Sequence, residues 1–163
     1  MRGHPARFAP GAPGKVDCSD TNYQPIGRIL ETVTGKGLPE LFADEVFGPL
    51  GLRDTWIYSD PLDDRPTPFH AGRKAVRLPH YIASISAEDG MVSTGADMLR
   101  ISDAFFAGRF FDLEAFLSQQ NWRKLFWPGQ FYFGLGLEKL WTPWFVSPLR
   151  PIRDVMGCCG QTG

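Results

Sequence analysis

Cysteine is scarce in this sequence. The three that occur, Cys18, Cys158 and Cys159, are too few and too unevenly spaced for a disulfide framework or a zinc ribbon. An odd number of thiols in a chain of 163 residues, long enough to build a core without covalent staples, points to a reducing compartment. An excess of one charge is also missing. Seventeen basic residues face 18 acidic ones and neither sign forms a block, so the chain carries no electrostatic footprint for nucleic acid or an acidic membrane. Long apolar runs are absent as well: Phe110-Phe111 and Trp144-Phe145-Val146 fall far short of the roughly 20 residues a membrane span takes. No apolar core follows the opening Met1-Arg2-Gly3-His4-Pro5-Ala6-Arg7, because Pro10, Gly11, Pro13 and Gly14 come next, so no secretory signal is read there. The default expectation is therefore a cytoplasmic protein. His4, His70 and His80 have no partner at metal-ligand spacing, and neither a metal nor a cofactor is expected.

What is present is core material. Apolar side chains make up 43% of the chain and aromatics 13%, which excludes a disordered polymer. Eighteen glycines and 14 prolines cut this material into short elements joined by many loops. Residues 1–17 read as an irregular lead-in. From Asn22, apolar residues at Tyr23, Ile26, Ile29, Leu30 and Val33 recur at helical spacing, with Pro25 in the first turn and Gly35 as the stop. A second helix is predicted from Pro39 to Gly48-Pro49, presenting Leu41, Phe42 and Val46. The stretch 51–88 shows no sustained period and reads as a long loop with extended pieces such as Thr55-Trp56-Ile57-Tyr58. Thr94 followed by Asp97 is a helix-start signature, with Met98, Ile101, Phe105 and Phe106 behind it and Gly108 as the end. Asp112 is placed to cap a further helix carrying Leu113, Phe116 and Leu117, and 130–140 alternates like a strand or hairpin. The aromatics at Phe105, Phe106, Phe110, Phe111, Trp122, Phe126 and Trp127 are expected to pack as core.

Three stretches in order carry more than class. They are Cys18-Ser19-Asp20-Thr21-Asn22-Tyr23, then Asp89-Gly90-Met91-Val92-Ser93-Thr94 with Asp97, and finally Gly157-Cys158-Cys159-Gly160-Gln161-Thr162-Gly163. With Val33-Thr34-Gly35-Lys36 and Gly48-Pro49-Leu50-Gly51-Leu52 between them, the chain resembles the serine β-lactamase-related family. That family comprises class C β-lactamases, D-alanyl-D-alanine carboxypeptidases and esterases similar to them. The resemblance implies an α+β fold, of which this chain is the mostly helical part, with long loops and a few short antiparallel strands. It divides the sequence into the lead-in 1–17, a helical subdomain 18–142 and a Pro-rich connector 143–163 that starts a sheet strand of the α/β domain. It also implies a small amide or ester substrate, hydrolysed through an acyl-serine.

Family chemistry needs a Ser-x-x-Lys nucleophile, a Tyr-x-Asn/Asp motif and a Lys/His-x-Gly motif on a strand edge. The residues three beyond Ser19, Ser59, Ser84, Ser86, Ser93, Ser102, Ser118 and Ser147 are Asn22, Leu62, Ala87, Asp89, Ala96, Phe105, Asn121 and Arg150, so no serine heads that motif. By resemblance the remaining site positions are Cys18 in the tyrosine place, Asp20 in the Asn/Asp place, and Cys158, where His or Lys is expected. Gly160 matches the motif glycine, and Gln161 is the residue whose backbone N–H faces the oxyanion hole. A thiol titrates near pH 8.5 when unperturbed and is shorter than a phenol. Cys18 accordingly has two readings, a small buried hydrophobe or a reactive thiol. The expectation is a fragment of a serine hydrolase that is inactive by itself, lacking the nucleophile segment and the later strands. The rival expectations are a non-catalytic binding module built on the same fold and a decayed gene remnant. Missing sheet partners would leave apolar surface open to self-association.

Overall fold

The computed structural model describes residues 5, 7–9, 11–15, 19–125, 131–142, 144–145, 148–150 and 154–158. Its elements are helices and short antiparallel strands, an α+β composition. They divide into two compact units, one from 19–116 and one from 1–18 with 117–159.

In the unit 19–116, a 3-10 turn at Asp20–Asn22 leads into helix α1, Tyr23–Thr34. Pro25 sits in the first turn, where the missing N–H removes no intrahelical bond. Gly35 ends the helix at φ 70°, its N–H reaching Glu31 O at 2.9 Å. Helix α2, Leu38–Phe42, starts with Pro39 in its first turn and widens into a π turn over Ala43–Phe47. Gly48 N closes that turn on Ala43 O at 2.8 Å, and a Cβ at Gly48 would lie only 2.9 Å from the same oxygen. Phe47, Leu52 and Ile57 then form the buried core, with Phe42, Val46, Leu50 and Ile101 packed on it.

The stretch that lacked a sequence period holds more structure than a loop. Strand β1, Trp56–Ile57, pairs with β4, Met91–Val92, while β2, Phe69–Ala71, and β3, Lys74–Val76, form a hairpin turned at Gly72 with φ 62°. Two short helices follow, α3 at Pro79–Ser84 and α4 at Ser86–Asp89. Four to six residues are too few to display a 3.6-residue period, which is why they read as irregular. Helix α5, Gly95–Phe106, begins at the Thr94 cap, whose hydroxyl accepts from Asp97 N at 3.2 Å, and Gly108 follows its end with φ 68°. Helix α6, Leu113–Ser118, is capped by Asp112, which accepts from Ala115 N at 3.0 Å. Phe105 makes edge-to-face contacts with Phe106, Phe111 and Phe116 at 5.0–5.9 Å. Phe126 and Trp127 lie outside the described residues.

Helix α1 packs on its narrow side. Gly27 is buried, and a Cβ there would fall 2.7 Å from Ala87 Cβ and 3.1 Å from Leu38 Cδ1. The apolar stripe of the same helix lies about 100° around from Gly27. It is open, with Ile26 51%, Ile29 61% and Val33 80% exposed. Close approach at Gly27 thus sets how near α1 comes to α4.

Between 56 and 65 the chain is clamped by a stacked ion pair. Arg65 lies 4.1 Å over the Trp56 ring and reaches both carboxylate oxygens of Asp63, at 2.8 and 2.7 Å. The guanidinium holds the Asp63 carboxyl down at about 2, below its ordinary 3.8. A carboxyl lowered in the folded state stabilises the fold above its unfolded pKa and loses that contribution as pH falls through the folded one.

Two outcomes are expected. Gly27→Ala lowers stability by about 1–2 kcal/mol in chemical denaturation, because overpacking outweighs the roughly 1 kcal/mol that alanine gains at an open helix position. In acid titrations the wild type loses stability between about pH 4 and 2 more steeply than Asp63→Asn, the difference arising from the Arg65 pair.

Candidate active site

The motif segment that starts at residue 18 continues into the 3-10 turn, with Asp20 exposed at its first position. Asn22 N bonds Ser19 O at 3.1 Å, whereas the Ser19 side chain makes no cap bond. The turn packs against α1 and α4, which brings Asp20 onto the same helix cluster as Glu88, Asp89 and Gly90. Gly90 is buried, and a Cβ there would collide with Ser86 Cα and O at 2.4 and 2.6 Å, so only glycine lets α4 turn this tightly into β4. Its carbonyl accepts from Tyr58 N at 2.7 Å.

Three residues beyond Thr94 lies a second polar feature. Asp97 is 3% exposed, and its Oδ2 accepts from Thr55 Oγ1 at 2.9 Å and from Asp54 N at 3.3 Å, while Oδ1 accepts from Arg100 Nη1 at 3.1 Å. Thr55 Oγ1 lies 2.7 Å from Ser93 Oγ. A hydroxyl has one proton, and that of Thr55 goes to Asp97, so Ser93 donates to Thr55. Ser93 Oγ also lies 3.3 Å from Thr94 O, a second and more distant acceptor for the same proton. The sequence marks Asp97 as a helix-start residue, and the structure adds that it ties the start of α5 to Asp54 and Thr55, more than 40 residues away.

The described residues also hold polar atoms the sequence did not single out. Gln24 Nε2 and Glu88 Oε2 are shielded from solvent, and neither finds a hydrogen-bond partner among the described residues. They flank the helix pair that Gly27 and Ala87 bring together. Their only signal in the sequence is adjacency, one beside Tyr23 and one beside Asp89-Gly90.

In the unit 117–159, β5, Arg123–Lys124, β6, Phe131–Phe133, β7, Glu138–Leu140, and β8, Val155–Gly157, form one antiparallel sheet in that order. Strand β8 is its last strand, and Cys158 follows it, exposed. Gln120 braces the β6–β7 turn by accepting from Leu135 N at 2.6 Å. Of the positions assigned by resemblance, the structure describes Asp20 in one unit and Cys158 in the other. Cys18, Gly160 and Gln161 lie outside the described residues. Among the described residues no group of His, Cys, Asp and Glu could hold a metal ion, and no helix is long and apolar enough to cross a membrane.

Helices joined by tight glycine turns, followed by an antiparallel sheet whose last strand runs into Cys158, define an α+β scaffold shared with solved amidohydrolases. The structure is similar to the D-amino acid amidase of Ochrobactrum anthropi SV3, solved with L-phenylalanine amide. The TM-score is 0.61 at 26% identity, over 77% of this chain and 39% of that one. It is also similar to a D-stereospecific amidohydrolase of Streptomyces sp., with TM-score 0.64 and 26% identity over 84% of this chain and 42% of that one. A D-aminopeptidase of Cereibacter sphaeroides (strain ATCC 17029) is 44% identical over 60 residues, which is 35% of this chain and 11% of that protein. The chain thus spans well under half the length of each of these relatives. The sequence matches the Beta-lactamase family over residues 4–148, and the chain belongs to that family.

Removing the Asp97 carboxylate leaves a hydroxyl and a backbone N–H without their acceptor inside the unit. Asp97→Ala is expected to cost about 3 kcal/mol and Thr94→Ala about 1 kcal/mol, both read from urea denaturation midpoints.

Proposed function

We propose that this chain is part of an amidohydrolase for amides of D-configured amino acids, working through the family's acyl-serine, and that residues 1–163 alone do not turn substrate over. The observation that carries the substrate class is the agreement of three separate relatives, an amidase, an amidohydrolase and an aminopeptidase, each named for action on the D series. The chemistry asks for a serine whose proton is taken by a nearby base and for backbone N–H groups around the developing oxyanion. Within this chain no serine is followed by lysine at the third position, and Ser93, the serine of the Asp89–Asp97 segment, is bonded into the Asp97 chain. The positions matched to the motifs by resemblance, Cys18, Asp20, Cys158, Gly160 and Gln161, do not by themselves make a complete reacting set.

A second reading is favoured by one feature. Cysteines stand at both places where the family uses Tyr and His or Lys, at 18 and 158. Two replacements of this kind suit a binding module that keeps the shape of the site and not its proton transfers.

The test is to assay the purified chain with D-phenylalanine amide, L-phenylalanine amide, a chromogenic β-lactam and an aryl ester. The expected result is no turnover above that of Ser19→Ala. Hydrolysis of the D-amide that disappears in Ser19→Ala or Cys158→Ala overturns the inactivity of the chain. Hydrolysis indifferent to the configuration of the amide overturns the substrate class.

A further inference from the structure

The sheet of the unit 117–159 carries a cation whose own surroundings do not complete it. In the register of β6, β7 and β8, Tyr132 stands opposite Lys139 and Lys139 opposite Met156, so the three share one face. The Lys139 side chain is 22% exposed. Its Nζ lies 4.7 Å from the centroid of the Trp122 ring and 5.7 Å from that of Tyr132. The facing carboxylate, Asp154 Oδ1, is 3.7 Å away, close enough for an ion pair and too far for a hydrogen bond.

Ring faces offset part of the cost of taking an ammonium out of water. They accept none of its three N–H bonds in the way an oxygen does. Among the described residues Lys139 Nζ has no oxygen within hydrogen-bond distance. Asp154 does not close the gap, because its side chain is 71% exposed and stands at the rim.

Tyr132, Lys139, Trp141 and Asp154 line an open cleft of about 570 Å³, the size of a small-molecule site. Its contents are one half-buried ammonium lacking an oxygen, two aromatic walls and one carboxylate at the edge. We propose that this cleft binds a small aromatic monocarboxylate, the ligand oxygen accepting from Lys139 Nζ and the ring lying against Trp141 and Tyr132. A neutral aromatic leaves the ammonium as it is. A dianion such as phosphate meets the Asp154 charge and finds no arginine among the described lining residues to grip it. The proposal stands on the sheet face alone and does not rest on the hydrolase reading.

The experiment is calorimetric titration of the whole chain with phenylacetate and with its neutral counterpart phenylacetamide. Phenylacetate is expected to bind at least about tenfold more tightly than phenylacetamide, the worth of one charge-assisted hydrogen bond. Lys139→Met is expected to erase that preference. Asp154→Asn changes an exposed side chain and keeps its shape, and it is expected to tighten phenylacetate several-fold by removing the competing anion. Equal binding of acid and amide, no binding of either, or an Asp154→Asn variant that binds phenylacetate no better than wild type each overturns the proposal.

Discussion

Asp97 is the constraint around which the unit 19–116 is organised. A carboxylate that is 3% exposed survives only if its oxygens are occupied, and here two donors from one distant segment and one from its own helix occupy them. Thr55 and Asp54 bring in the chain just before β1, Arg100 belongs to α5, and Ser93 joins through Thr55. Because β1 pairs with β4 immediately beside this network, the polar tie and the two-stranded ladder fix the same segments twice. Phe47, Leu52 and Ile57 fill the apolar space next to it. A core this small depends on such a polar tie for a defined arrangement.

A small number of close contacts and caps sets the shape of each unit. They are Gly27 against Ala87, Gly90 against Ser86 and the Thr94 cap in one unit, and in the other a sheet whose last described strand runs into Cys158.

Much of this was legible wherever one residue type has one structural use. Gly35 and Gly108 at positive φ, Thr94 and Asp112 as caps and Pro39 in a first turn were all readable from identity and spacing. The helices at 79–89 and the hairpin at 69–76 were not, because each is too short for a period and is stabilised by neighbours rather than by its own pattern. For the site, the resemblance supplied only expected positions, of which Asp20 and Cys158 fall among the described residues. The pairing of Asp97 with Thr55 was not, since a bond across 42 residues leaves no mark in local sequence. The same holds for Lys139, whose aromatic surroundings come from three different strands or their flanks.

Amide hydrogen exchange followed residue by residue tests the organising role of Asp97 most directly. The Asp54 N–H is held by Asp97, the Tyr58 N–H by Gly90 O and the Leu52 N–H by Phe47 O. If the polar tie and the small core form one cooperative unit, these three amides open together with the same free energy, the highest in the unit, well above that of the exposed end of α1. Exchange at Asp54 and Tyr58 as fast as in an open loop, with only Leu52 protected, would contradict the account.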